Sequence, residues 1–170
     1  MKLKKIYTVT ALILLIALYF AIFFFSGEDG ESSSALSGRV TDALINFYYR
    51  ITAGEGEYGP AVFVYGADSL EGIIRKAAHF MEYLCMGLLS YSLVLIWRGT
   101  GVKGRLLVLA QIFLSAGLDE FHQYFVPGRC ASFKDVLIDT AGGGVGILLI
   151  LAAARVRAAV PLPEHMKDNQ

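Results

Sequence analysis

The feature that most restricts the folding of this chain is the run from Ile6 to Phe25, which carries no charged side chain. About 20 mostly apolar residues in an α-helix cross the hydrocarbon core of a bilayer. Three further segments meet or approach that length. They run from about Ala77 to Trp97, interrupted by His79 and Glu82; from about Leu106 to Phe125, apolar until Asp119; and from about Val136 to Ala154, broken only by Asp139. Hydrophobic residues make up 55% of the 170 residues, and their grouping into blocks decides the class. The pattern predicts an all-α membrane protein, a four-transmembrane-helix bundle with spans at about 6–25, 77–97, 106–125 and 136–154. Residues 1–160 form one domain in this reading, and residues 161–170 a disordered cytoplasmic tail. Lys2, Lys4 and Lys5 also suit a signal peptide. The apolar run is longer than a usual signal core, however, and Ser26-Gly27-Glu28 offers no clear small-x-small cleavage site. The segment is therefore read as a retained anchor.

The formal net charge is zero, so no global basic field points to nucleic acid. Cys85 falls inside the second span and Cys130 in a loop, at different expected depths, which predicts neither a disulfide nor a cysteine metal motif.

Charge asymmetry sets the expected orientation. Lys2, Lys4 and Lys5, then Arg98, Lys103 and Arg105, then Arg155 and Arg157 all fall on one side of an even number of spans. Short cytoplasmic segments are enriched in Lys and Arg. The long first loop is instead acidic, with Glu28, Asp29, Glu31, Asp42, Glu55, Glu57, Asp68 and Glu71. Both termini are expected in the cytoplasm and the long loop outside. Within that loop Leu36, Val40, Leu44, Phe47, Tyr48 and Ile51 recur at three- and four-residue spacing, which predicts an extracytoplasmic amphipathic helix. Ser32, Ser33 and Ser34 are its capping candidates. Its expected place is the outer interface, over the bundle, or packed on it for stability alone. Gly54, Gly56, Gly59 and Pro60 are expected to end it, and Asp68 with Glu71 to cap the start of the second span.

Ionisable residues inside a span are costly, about 2.5–3.5 kcal/mol each on insertion scales. Here they fall into stripes. Arg75, His79 and Glu82 share one face of the second span, with Lys76 and Tyr83 beside it. Gln111, Ser115, Asp119 and His122 line the third; Asp135, Asp139, Gly142 and Gly146 line the fourth. With the expected orientation, all three stripes bring their ionisable ends to the outer side, where Pro127-Gly128-Arg129 turns the chain. Each element also has a plain structural reading. Arg75 and Lys76 suit interfacial anchors, Ser132 with Asp135 a capping box, the glycines close helix packing, and Asp139 an ion pair with Arg129 or Lys76.

The blocks Arg75-Lys76-Ala77-Ala78-His79-Phe80-Met81-Glu82-Tyr83, Asp119-Glu120-Phe121-His122-Gln123-Tyr124-Phe125-Val126-Pro127-Gly128-Arg129 and Asp135-Val136-Leu137-Ile138-Asp139-Thr140-Ala141-Gly142 resemble the VanZ-like family of bacterial membrane proteins. The resemblance runs from the first span to the fourth. Ser26 and Ser32 to Ser34 are similar to a Ser-rich stretch of that family, from which Gly27-Glu28-Asp29 departs. It implies a link to glycopeptide, particularly teicoplanin, resistance and names no biochemical activity.

A pocket for an envelope lipid or cell-wall precursor, or a glycopeptide-related ligand, follows as the leading expectation. Arg75, Lys76, Arg129 and Lys134 suit a phosphate or carboxylate, and Glu120, Gln123 and Asp135 complete the candidate binding set. His79 and His122 suit acid–base work, with Glu82, Asp119 and Asp139 orienting them. The chain has no G-x-S-x-G or P-loop pattern. A metal held by His79, Glu82, Asp119 and His122 is a weaker reading, because no H-E-x-x-H motif supports it, and no metal or cofactor is assigned. The non-catalytic alternative is a structural ion-pair network or an ion or proton path.

Overall fold

The structure is a computed structural model that describes residues 1–52 and 64–159. Among these residues there are five helices and no strand: α1 (Lys2–Ser26), α2 (Gly30–Thr52), α3 (Val64–Arg98), α4 (Val102–Gln123) and α5 (Phe133–Ala159). The expected breakers Gly54, Gly56, Gly59 and Pro60, and the expected disordered tail at 161–170, lie outside the described residues.

Among the described residues, three segments are long and apolar enough to cross a membrane: Lys2–Ser26, Leu70–Arg98 and Phe133–Arg157. The 22-residue α4 is not one of them. Lys103 and Arg105 lie in its first turns, and Asp119, Glu120, His122 and Gln123 in its last. The outer surface is apolar along the helices, with Phe20, Leu118, Phe121 and Leu148 all exposed. Such a surface suits a hydrocarbon surrounding and not water. In that medium each backbone must satisfy its own hydrogen bonds, which is why these blocks are helices.

α3 and α5 form the closest pair, and glycine is the reason. A Cβ on Gly142 would overlap Phe80 O, one on Gly146 would overlap Leu84 O, and one on Gly87 would overlap Gly143 O. Small residues let the backbones of two helices touch. Tyr83, Met86 and Tyr91 of α3, Val108, Ile112 and Ala116 of α4, Val136 and Ile147 of α5 and Ile22 of α1 make the core. At Gly99 a φ of 74° ends α3, with Gly99 N–H bonded to Leu95 O, and a short turn leads into α4.

α1 packs on this unit through Ile22, Leu15 and Leu18 and through a set of polar side chains. Tyr7 Oη donates to Ser92 Oγ at 2.7 Å, and Trp97 Nε1 donates to Thr8 Oγ1 at 3.0 Å. Gln111 Nε2 donates to Tyr19 Oη at 2.5 Å, and the Tyr19 and Ser115 hydroxyls are 2.8 Å apart.

Two expectations about the first loop are corrected. α3 reaches back to Val64, so Asp68 and Glu71 lie inside the helix and do not cap its start. α2 begins at Gly30, and its cap is Asp29, whose Oδ1 accepts the Ser32 N–H at 2.7 Å, so Ser32 to Ser34 are inside the helix. That bond holds the exposed Asp29 carboxyl below its ordinary range. The amphipathic pattern is real, but its faces are reversed relative to a water-soluble helix. Ser33, Ser37 and Thr41 are buried, Thr41 at 1% exposure, while Leu36, Val40, Leu44, Phe47, Tyr48 and Ile51 point outward, Phe47 at 62%. The hydroxyls of Ser37 and Thr41 donate to the carbonyls of Ser33 and Ser37. Each thereby satisfies itself within the helix and can face protein.

Candidate functional site

The polar stripes of α3, α4 and α5 meet at one end of the bundle. A cavity of about 150 Å³ there is lined by Arg75, Lys76 and His79 of α3, Glu120 and Gln123 of α4, Gly128 to Cys130 of the connecting turn, and Asp135, Ile138 and Asp139 of α5. Every one of the candidate binding residues named from the sequence lines it except Lys134.

His79 and Asp139 of this lining, and Asp119 behind them, each offer a ligand atom within 4.8 Å of the others. Gln123 Nε2 donates to Asp119 Oδ2 at 3.1 Å. Glu82 Oε2 lies 3.5 Å from His79 Nδ1. Asp139 is 2% exposed, and its Oδ1 has no hydrogen-bond partner among the described residues. His122 is not in this group. Its ring stacks on Phe23 of α1, centroids 4.6 Å apart, and with Asp119 it lines a second cavity of about 220 Å³ between α1, α3 and α4. The pairing of His79 and His122 as acid and base is therefore not what the geometry offers.

The cations divide sharply. Lys76 pairs with Asp135, so Lys76 does not serve Asp139. Arg129 is bound to backbone: Nε donates to Glu28 O at 3.1 Å, Nη2 to Phe25 O at 2.9 Å, and Nη1 to Gln123 Oε1 at 3.5 Å. It thus caps the carbonyl end of α1 and does not pair with Asp139. Burial, and then the positive field of Arg75, lowers the Arg129 guanidinium from its ordinary value. It remains cationic, as arginine does in proteins. Arg75 itself forms no hydrogen bond or ion pair among the described residues.

Arg75, His79 and Arg129 also line a third cavity, of about 200 Å³, between α2 and α3. Its other walls are mostly apolar, with Phe25, Leu36, Val40, Ile74 and Ala78, and carry Ser33, Ser37, Glu28 and Glu82 as their polar residues. These three residues therefore form a partition, with a polar chamber on one side and an apolar cleft on the other.

Several residues that shape the site escaped the sequence reading. The expected box between Ser132 and Asp135 is split across helices. Ser132 Oγ accepts the Lys134 N–H at 3.2 Å, but the carboxylate that takes the Ser132 N–H, at 2.7 Å, is Glu120 Oε2 of α4. Asp135 is occupied by Lys76. The turn Pro127-Gly128 also does more than reverse the chain. Pro127 O accepts the Gly30 N–H at 3.0 Å, and Gly128, at φ 73°, packs against Gly30 so closely that a Cβ on Gly30 would overlap Gly128 O. Tyr19 supplies the partner for the Gln111–Ser115 part of the α4 stripe. A tyrosine inside an apolar run gives little sign of such a role. Cys85 and Cys130 are both free.

The sequence model of the VanZ/LLP1 family matches residues 11–154, which takes in the whole cavity. No curated protein and no solved structure matches the chain.

Proposed function

The chain belongs to the VanZ/LLP1 family, and on that footing we propose that it is a multi-pass protein of the cell membrane whose outward-facing pocket binds or processes an amphipathic, anionic envelope lipid or cell-wall precursor. The observation that carries this reading is the partition. Arg75 has no partner among the described residues and faces both the polar chamber and the apolar cleft. A phosphate or carboxylate head there receives a bidentate guanidinium. It also relieves the opposition between the Arg75 and Arg129 charges. The chain of the same molecule lies in the cleft beside α2. Because α2 turns its apolar side outward, that cleft is entered from lipid.

α4 is the fourth span in this reading. It is about 33 Å long at ~1.5 Å per residue, its middle from Leu106 to Leu118 holds no charge, and its charged ends fall where the bilayer meets water. Four spans put the Lys- and Arg-bearing ends in the cytoplasm, together with both termini, and the cavity and α2 outside. The family's link to glycopeptides suggests an effect on teicoplanin susceptibility.

The test uses full-length protein purified in mild detergent, with co-purifying lipid identified by mass spectrometry. An anionic lipid enriched on the wild type and reduced about tenfold by R75A, a loss of ~1.4 kcal/mol in binding, supports the reading. An R75A chain of normal abundance with unchanged lipid content and unchanged teicoplanin susceptibility refutes it. The second reading, a structural network, is favoured for Lys76–Asp135, Glu120–Ser132 and Arg129 by their bonds, and gives no role to Arg75 or Asp139.

A further inference from the structure

We propose that His79, Asp119 and Asp139 form a site for one divalent metal ion of zinc type, with a coordination position open to the polar cavity. Each ligand comes from a different helix, α3, α4 and α5, and the three ligand atoms lie within 4.8 Å of one another. Zinc holds imidazole nitrogen and carboxylate oxygen at about 2.0–2.2 Å, so ligands on one tetrahedral ion lie roughly 3.5 Å apart. Small side-chain adjustments close that difference.

A cluster of acids alone would not carry this conclusion. What carries it is unmet valence. Asp139 is 2% exposed with an Oδ1 that no described group satisfies. Neither Asp119 nor Asp139 forms an ion pair among the described residues. Two neighbouring carboxylates inside a helix bundle repel and are poorly solvated unless a cation or a proton joins them. Arg75 lines the same cavity but forms no ion pair with Asp119 or Asp139, and the other two nearby cations are engaged elsewhere. Lys76 holds Asp135, and Arg129 holds the carbonyls of α1 and Gln123. One dication neutralises the pair.

The surroundings have the form that metal ligands need. Ligands are usually steadied by outer hydrogen bonds. Asp119 accepts from Gln123, which is in turn held by Arg129. Glu82 stands 3.5 Å from His79 Nδ1, in reach of orienting the ring. One imidazole and two carboxylates, without thiolate, suit zinc or manganese. Three protein ligands leave room for a water or an anionic oxygen. His79 and Asp139 both line the polar cavity, so that position faces the chamber beside Arg75.

The test reads metal content and needs no lipid, so it can fail independently of the proposed function. Full-length protein in detergent is stripped with chelator, exposed to zinc chloride or manganese chloride, desalted, and counted by mass spectrometry. About one ion per wild-type chain is expected, with at least a tenfold loss in H79A and D139N and full retention in D42N, whose residue is exposed on α2 and does not line the cavity. Wild type that retains no metal overturns the proposal and leaves a shared proton as the link between Asp119 and Asp139. Full retention by D139N overturns it too. Because a variant could fail to fold, cobalt titration of the wild type gives an independent reading. Ligand-field bands of a low-symmetry site support the proposal, and their absence overturns it.

Discussion

Gly87 of α3 and Gly143 of α5 meet backbone to backbone, with no space between them for a single methyl group. Their contact sets how closely α3 and α5 pack, and so how near His79 comes to Asp139.

That contact predicts a graded response to added methyls. G87A forces the helices apart, and overpacking of this kind costs about 1–3 kcal/mol. G143A meets Ile112 Cδ1 at 2.6 Å and is expected to be comparably harmful. G144A is the control, since its Cβ finds only Leu109 Cδ1 at 4.0 Å. Thermal unfolding in detergent should rank G87A and G143A well below G144A and the wild type. Equal melting of G87A and G144A would contradict the packing.

Arg129 and Arg75 should separate in effect although both line the cavity. R129A removes hydrogen bonds to Phe25 O, Glu28 O and Gln123. Hydrogen bonds to a charged group contribute about 1.5–3 kcal/mol each, net of the bonds to water they replace. The variant is expected to fall in abundance, and R129K to recover it only partly, because an ammonium lacks the planar fork. R75A breaks no bond within the described protein and should keep its abundance. Immunoblots of membrane fractions provide the measure, and loss of R75A to the same extent as R129A would oppose this division.

The Glu120–Ser132 bond ties the end of α4 to the start of α5. E120A leaves the Ser132 N–H without its acceptor, at a cost of about 1–2 kcal/mol by analogy with lost helix caps. Amide exchange at residues 132–136 should quicken in E120A, while exchange in the middle of α5 stays as in the wild type. D135A, whose carboxylate serves Lys76, should leave those amides unchanged. Faster exchange in D135A than in E120A would restore the conventional capping box.

Asp29 gives a pH dependence confined to α2. Its carboxyl is held below the ordinary aspartate range, first by the bond from the Ser32 backbone. A depressed carboxyl stabilises the folded form above the unfolded value, and that contribution is lost as pH falls through the folded value. At neutral pH D29A should therefore fray the first turn of α2, and the wild type should fray in the same way only on acidification below the aspartate range. D29N, which can still cap, should remain protected across that range. Exchange at Ser32 and Ser33 reports the outcome; a wild type whose exchange pattern ignores that acidification would rule the cap unimportant.

Much of the architecture was legible because long apolar blocks in lipid have few alternatives. Helices at the expected places follow from the apolar blocks, and the polar faces that carry His79, Asp119 and Asp139 follow from spacing along each helix. What was illegible is instructive. Spacing tells which residues share a face but not which helix that face meets. Asp135 looked like the cap partner of Ser132 because it is near in sequence, yet Glu120 is nearer in space. His122 looked like a partner for His79 because both are histidines at one end of the bundle, yet its ring lies on Phe23. The stripe on α2 shows where the apolar face is, but only the surrounding medium decides whether that face turns inward or out.

Only Ala11, Ile22 and Ser26 of α1 are buried. A leucine gains almost nothing by leaving a lipid tail for a neighbouring leucine, so apolar area gives this helix little reason to stay beside its neighbours. The few hydroxyls and amides that meet it, and the guanidinium at its end, work as a latch between this helix and its neighbours. Unfastening the latch at Arg129 releases the corner that carries α2, and with it one wall of the cleft.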